Sequence, residues 1–162
     1  MLMTLKKNSP IPDDNHIARH IPWNKLRKDM DDNVLGVLGE AFKLKPKEKY
    51  LSATLLEYFP GTYTDQIESV VREVRKYYHV KPKSHFAIGK VEDIHTLCQE
   101  KRKLKLRIVS FPTTTKLLAD GASYKNESHV SVKQLPQDDM ELLEFLATDV
   151  WNYLVLNSSI SP

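Results

Sequence analysis

The sequence predicts a single α+β domain, in which about five short strands form a mostly antiparallel sheet packed by two long helices. Short segments rich in β-branched residues indicate the strands, and two longer segments with apolar residues at spacings of three and four indicate the helices. Strands and helices do not alternate strictly, which argues against a doubly wound parallel sheet. The 162 residues fit one domain. We expect it to span residues 13–157, with flexible segments at 1–12 and 158–162.

The strands are predicted from short runs that end at turn-forming residues. The opening run, HIARHI, stops at Pro22. A strand edge is expected at Phe42 and Leu44, where apolar residues alternate with lysines. Residues 23–34 and 113–123 are predicted as loops. The remaining strands are expected in KYLS (49–52), HFAIGKV (85–91), KLKLRIVSF (103–111) and SHVSVKQL (128–135).

The two long helices are predicted at residues 64–80 and from Pro136 to about Asn157. The first is expected to begin with Thr64 as its N-cap and to bury one apolar stripe. The second has acidic residues in its first turns, where the helix dipole favours them. ATLLEYF (53–59) is predicted as a short helix, and residues 92–101 fit a helix or an irregular connection. The expected buried residues are Ile67, Val70, Val71, Val74 and Tyr78 in the first helix, and Met140, Leu143, Leu146, Ala147, Val150 and Leu154 in the second.

Composition narrows the classes of function. The formal net charge of +3 is small, and opposite charges are mixed along the chain, so a nucleic-acid partner is possible but not favoured. The single cysteine, Cys98, excludes an intramolecular disulfide. No apolar run approaches the roughly 18 residues of a membrane helix, and the first ten residues lack the apolar core of a signal peptide. We therefore expect a cytoplasmic protein that does not bind membranes.

The opening strand places three side chains of interest close together. His16 and His20 would share a face of a helix and could bind a metal, but in a strand they are too far apart for one ion. In the strand, Arg19 lies on the apolar face with Ile17 and Ile21. A buried guanidinium needs a partner, which could be a carboxylate such as Glu57 or an anionic ligand.

Further candidates lie on the later strands. Ser52 could cap a helix or present its hydroxyl to a phosphate, and Glu57 could act in acid–base chemistry. His129 begins a strand after a polar turn, where functional groups are common. His95 and Cys98 alone cannot hold zinc, so no metal site is expected. The basic residues 101–107 and 25–28 could bind phosphates if they share a face, although a solvated surface is favoured.

Two resemblances add to these hypotheses. The order HIAR, YLS…LEYF, FAIGKV and SHVSV before a terminal helix resembles a family of small bacterial proteins without an established activity, over about residues 14–150. The order of Arg19, Tyr50, Ser52 and Glu57 resembles that in RES-domain and related ADP-ribosyltransferase-like enzymes, which consume NAD. That second resemblance implies NAD as a possible ligand, with Arg19, His16, Tyr50 and Ser52 as binding residues and Arg19, Ser52, Glu57 and His129 as catalytic candidates.

Three functions remain open at this point. The first is binding or processing of a nucleotide-type anionic ligand, which requires Arg19, Ser52 and either Glu57 or His129 to reach one pocket. The second is a non-catalytic module that binds an operon-encoded partner in a bacterial defence or toxin–antitoxin system. The third is an RNA- or DNA-binding domain, whose affinity would fall steeply with salt.

Overall fold

The computed structural model describes residues 5–162. Its largest element is a six-stranded antiparallel sheet, so the predicted α+β class and antiparallel sheet are confirmed, with one strand more than expected. The strands are β1 His16–Ile21, β2 Leu26–Lys28, β3 Val34–Val37, β4 Leu51–Leu55, β5 His85–Lys90, β6 Arg107–Ser110, β7 Thr113–Lys116, β8 Ser123–Asn126, β9 His129–Lys133 and β10 Tyr153–Leu156. The order of strands in the sheet is β10-β5-β1-β4-β9-β6. Two short hairpins, β2–β3 and β7–β8, lie outside this sheet.

Helices cover both faces of the sheet. They are α1 Tyr63–Arg75, α2 Val91–Arg102 and α3 Met140–Phe145, with a π-helical turn at Leu146–Val150 and 3₁₀ turns at Trp23–Lys25, Gly39–Phe42, Leu56–Tyr58 and Asn157–Ser159. The face that carries Ala18 packs against Ile67 and Val70 of α1. The opposite face, with Ile17 and Ile21, belongs to the main core, to which α2 and α3 contribute. No helix within residues 5–162 has the length and apolar content needed to cross a membrane.

Helix α1 begins at Tyr63, and its N-cap lies two residues before the predicted one. Thr62, rather than Thr64, is its N-cap: the Thr62 hydroxyl accepts from the amide of Asp65, whose carboxylate accepts from the amide of Thr62. This reciprocal capping box needs an acidic residue three positions after the cap, which Thr64 lacks. The predicted apolar stripe from Ile67 to Val74 is buried, but Tyr78 is 42% exposed because the helix ends at Arg75.

Several short segments adopt a different structure from the predicted one, among them Leu26–Lys28, which form β2 within a predicted loop. ATLLEYF is not a helix, because Ala53–Leu55 extend β4 between β1 and β9, and only Leu56–Tyr58 form a 3₁₀ turn. Phe42 lies in a 3₁₀ turn rather than in a strand edge. Residues 113–116 form β7 instead of a loop. A short apolar run such as ATLLEYF does not distinguish a buried strand from a buried helix.

The predicted terminal helix begins at Met140 rather than Pro136 and does not continue beyond Val150. After α3 the chain makes a π turn and then crosses to pair with β5 as β10, so Leu154 lies in a strand. The break coincides with Trp151, which is fully buried and whose indole Nε1 donates to the carbonyl of Ala87 (3.0 Å). Burying this large side chain against the sheet ends the helical stripe.

Segments near both ends of the described residues 5–162 are hydrogen-bonded to the domain. Ile11, within the segment expected to be flexible, is 5% exposed and donates its amide to the carbonyl of Ile108. Arg75 donates to carbonyl oxygens of Asn157, Ile160 and Ser161, which holds the C-terminal segment against α1. Residues 1–4 lie outside the described part of the chain.

Gly89 on β5 provides a first test of this packing. A Cβ at this position would lie 2.9 Å from Cδ1 and 3.1 Å from Cα of Trp151. Because the Cα is backbone and the ring is enclosed, we expect Gly89→Ala to lower the free energy of unfolding by about 1–3 kcal/mol. Urea unfolding would measure this change. Gly36→Ala is the control, since the nearest neighbour of a Cβ there is 3.9 Å away; equal losses in both variants would contradict the predicted clash.

Candidate functional site

The main sheet is split between β1 and β4. β1 pairs with β5 at six positions but with β4 at only two, Ile17↔Leu55 and Ala18↔Thr54. Beyond these pairs the strands diverge, and the ladder hydrogen bonds that would join them are missing. A cavity of about 640 Å³ lies at this split, within the range of about 300–1,000 Å³ typical of small-molecule sites.

Arg19 lies in the split and replaces part of the missing ladder. Its Nη1 donates to the Ser52 carbonyl (2.9 Å) and its Nε to the Ala41 carbonyl (2.8 Å). Burial lowers the pKa of Arg19 to about 10, although Glu48 partly opposes this shift, so the guanidinium is charged at pH 7. No carboxylate among residues 5–162 forms an ion pair with Arg19, and its Nη2 has no hydrogen-bond acceptor there.

The cavity carries an excess of positive charge. Its wall holds four cations and two carboxylates, a formal excess of two positive charges: Arg19, Lys25, Lys43 and Lys45 against Glu40 and Glu48. Both carboxylates already have partners in the protein. Glu40 pairs with Lys25 (3.4 Å), and Glu48 accepts from the amide of Lys45 (2.6 Å). Neither carboxylate of the wall forms an ion pair with Arg19.

His129 supplies a proton acceptor in the cavity wall. Its Nδ1 lies 2.7 Å from the carbonyl of Phe111, which can only accept, so Nδ1 carries the proton and Nε2 is unprotonated. Burial lowers the pKa of His129, while the bond to Phe111 partly raises it. The imidazole is thus neutral at pH 7, with Nε2 able to accept a hydrogen bond or a proton.

Aromatic and hydroxyl side chains complete the wall. The Tyr50 ring lies 5.9 Å from that of His129, and the Tyr78 ring lies 5.0 Å from that of His20. Tyr77 accepts from the Asn126 amide (3.0 Å), and burial raises its pKa to about 12. The remaining polar groups come from β4 and from the β7–β8 hairpin, namely Thr54, Thr113, Thr114 and Thr115.

The structure brings four of the six candidate residues to this cavity. Arg19, Tyr50, Ser52 and His129 line it, whereas His16 and Glu57 do not. Glu57, the carboxylate considered as a partner for Arg19, instead accepts from the amide of His16 and lies 2.7 Å from its Nδ1. This bidentate contact fixes the turn after β4 against the start of β1. Glu57 therefore cannot act on a ligand held beside Arg19.

Several wall residues carry no sequence pattern that marks them as part of a site. Lys43 and Lys45 were assigned to a strand edge, and Thr113–Thr115 to a loop. Tyr77 and Tyr78 were assigned to the helix, which ends two residues before Tyr77. The only available signal was the concentration of lysines just before Tyr50 in KLKPKEKY.

Metal binding has no support in the geometry. Within residues 5–162 no three His, Cys, Asp or Glu side chains are arranged as a metal site. His16 and His20 lie at the two ends of β1 with separate contacts. Cys98 is fully buried on α2, and burial raises its pKa to about 11, so it is a poor thiolate ligand.

The environment of His20 leads to a second prediction, that the stability of the protein falls at low pH. Its Nε2 is buried without a partner among the described residues, and burial, followed by the charges of Arg19 and Lys45, lowers its pKa to about 4. The unfolded state, with a pKa near 6.5, binds the proton more tightly. The stability that neutral His20 contributes is therefore fully present above pH 6.5 and is lost as pH falls towards 4. Allowing for partial exposure, the free energy of unfolding falls by up to about 2 kcal/mol.

Comparing His20→Phe with the wild type isolates this effect. The phenyl ring keeps the contacts with Tyr78 and Phe86 but does not titrate. As pH falls from 6.5 to 4, we expect the variant to lose less stability than the wild type does. Urea unfolding at each pH would measure both free energies of unfolding. A difference that is constant across this range would contradict the assigned pKa.

Fold and site together define the class of protein: an α+β domain with a split antiparallel sheet and a cationic, aromatic-lined cavity in the split. The chain matches no protein-family model, no curated protein and no solved structure.

Proposed function

We propose that the protein binds a small anionic ligand of the nucleotide type in the cavity between β1 and β4. The observation that carries this proposal is Arg19, a part-buried guanidinium in a cavity wall that is hydrogen-bonded only to backbone carbonyls and has no carboxylate partner among the described residues. Removing part of the water around a cation without supplying a counter-charge is unfavourable, and a bound anion would offset that cost. A planar guanidinium also suits phosphate and carboxylate groups.

The cavity also suits the uncharged part of a nucleotide. Tyr50 and Tyr78 offer ring faces for a base, and the threonine hydroxyls and Asn126 offer donors and acceptors for a ribose or a base edge. In this arrangement the phosphate lies towards Arg19 and Lys45. His129 Nε2 accepts a hydrogen bond from a ligand hydroxyl.

A panel of ligands tests the proposal. Thermal unfolding would be measured with NAD, ADP-ribose, AMP, adenosine and inorganic phosphate. A ligand that binds the native state stabilises it in proportion to the logarithm of its concentration over Kd. We expect stabilisation by at least one phosphorylated nucleotide and none by adenosine at equal concentration. Equal effects of AMP and adenosine, or no effect of any nucleotide, would contradict the proposal.

Chemistry on the ligand is a second candidate, favoured by the free Nε2 of His129. With NAD bound, His129 would accept a proton from a water that attacks the ribose C1′, as the bond to nicotinamide breaks and ADP-ribose is released. Chromatographic detection of the released nicotinamide tests this step. His129→Gln, which keeps the cavity polar, should abolish release while NAD still stabilises the protein; release that persists in the variant would exclude this role.

A further inference from the structure

A second group of cations surrounds Phe111 outside the cavity. Lys7 Nζ lies 4.6 Å and Lys133 Nζ 4.8 Å from the centre of the Phe111 ring. Arg107 on β6 lies directly opposite Lys133 on β9 in the antiparallel register. We call Lys7, Arg107, Lys133 and Phe111 the basic surface.

The charges of the basic surface are not neutralised by the protein. Like charges placed directly opposite on neighbouring strands are unfavourable, and none of the ion pairs within residues 5–162 includes these three cations. The basic residues singled out at 25–28 differ in this respect, since Lys25 pairs with Glu40 and Arg27 with Glu144 (3.1 Å). Lys7, Arg107 and Lys133 therefore keep their positive charges without a carboxylate partner among residues 5–162.

The basic surface is continuous with the cavity. The Phe111 ring lies 4.9 Å from the ring of Tyr50, and the Phe111 carbonyl accepts from His129; both of these neighbours line the cavity. His129 and Lys133 are four residues apart on one face of β9, a separation of about 13 Å at 3.3 Å per residue. A track of cations and aromatic rings thus leads from Arg19 to Lys133.

We propose that the ligand of the cavity is one nucleotide of a single-stranded nucleic acid, whose neighbouring phosphates bind the basic surface. This inference rests on the proposed function and names its ligand class. A free mononucleotide in the cavity leaves Lys7, Arg107 and Lys133 unused, whereas a polyanion reaches both groups. A single strand combines regularly spaced phosphates with bases that stack on aromatic side chains. A duplex keeps its bases paired and stacked, out of reach of the cavity.

Fluorescence anisotropy tests the inference. The probes are a labelled 12-nucleotide single strand, as RNA and as DNA, the corresponding duplex, and heparin as a polyanion without bases. We expect the better of the two single strands to bind at least tenfold more tightly than its nucleoside monophosphate, the duplex and heparin. Its affinity should fall with salt, with a logarithmic slope of about 0.7 per phosphate contact. Equal binding of heparin and single strand would overturn the inference.

Matched variants connect the basic surface to the binding. Lys7→Gln combined with Lys133→Gln should weaken oligonucleotide binding at least tenfold and reduce the salt slope, while binding of the nucleoside monophosphate stays unchanged. The control, Lys81→Gln combined with Lys101→Gln, removes two exposed charges elsewhere. Thermal unfolding would confirm that both variants fold. Equal losses in the two double variants, or no loss in the first, would overturn the inference.

The same measurements separate this inference from the proposed function. If the monophosphate binds but the oligonucleotide binds no more tightly, the inference fails and the proposed function stands. If the oligonucleotide binds without any monophosphate binding and without a loss in Arg19→Gln, the cavity is not its site, and both fail.

Discussion

Replacing Arg19 with glutamine is expected to lower the affinity for the anionic ligand by two to three orders of magnitude. Removing one partner of an enclosed, hydrogen-bonded charge pair costs about 2–5 kcal/mol of binding free energy. Glutamine keeps an N–H donor, but it has neither the positive charge nor the parallel N–H donors with which a guanidinium binds a phosphate or carboxylate. Isothermal titration calorimetry, with the nucleotide that stabilises the wild type most, measures the change.

Two further variants make this test specific. Arg19→Lys keeps the charge but cannot reproduce the two bonds to Ser52 and Ala41, and we expect an intermediate loss. Arg27→Gln removes an arginine that pairs with Glu144 outside the cavity lining, and it should leave affinity unchanged. Affinities that fall equally in Arg19→Gln and Arg27→Gln would show that net charge, rather than the cavity, determines binding.

Stability must be measured alongside affinity. Without the guanidinium, the carbonyl groups of Ser52 and Ala41 lose their donor, which costs about 1–3 kcal/mol if no water replaces it. The binding comparison therefore belongs at a temperature at which urea unfolding shows every variant to be folded.

Replacing Trp151 with alanine is expected to have the largest effect on stability, a loss of about 3–5 kcal/mol in the free energy of unfolding. The indole is fully buried, its ring centre lies 4.6 Å from that of Phe42, and it donates to the carbonyl of Ala87. Alanine leaves a cavity and an acceptor without its donor. Urea unfolding followed by far-UV circular dichroism measures the loss without relying on tryptophan fluorescence.

Trp23→Ala is the matched control. Trp23 is half-buried, and its ring lies beneath Lys28 and Lys83 at the surface. We expect a loss of about 1 kcal/mol from these cation–π contacts. A second check uses Gly89→Ala in the Trp151→Ala background, where the clash is relieved and the two effects should not add. Additive losses would show that Gly89 and Trp151 are not in contact.

The sequence predicted elements whose local pattern agrees with their tertiary environment. HIARHI and HFAIGKV contain β-branched residues, and they form β1 and β5, two inner strands of the sheet. The apolar stripe of α1 is long enough to identify a helix. Where packing decides, the local pattern failed: LATDVWNYLVL continues a helical spacing, yet the burial of Trp151 and the pairing of β10 with β5 divide it.

The site was predictable only in part, for a geometric reason. Strand alternation alone placed Arg19 on the apolar face, and a buried guanidinium requires an explanation at any position in a sheet. The split between β1 and β4 depends on pairings between segments about 35 residues apart, which no local pattern reports. For the same reason Glu57, close to Ser52 in sequence, could not be separated from the site before its contact with His16 was known.

The two residue pairs between β1 and β4 divide the main sheet into two halves. On one side lie β10, β5 and β1 beneath α1, and on the other lie β4, β9 and β6, which carry His129 and two residues of the basic surface, Arg107 and Lys133. The backbone joins these three-stranded halves along a seam of two residue pairs, and Arg19 crosses it. A ligand that binds Arg19 and His129 together would therefore also bridge the halves, so that recognition and cohesion of the sheet depend on the same contacts.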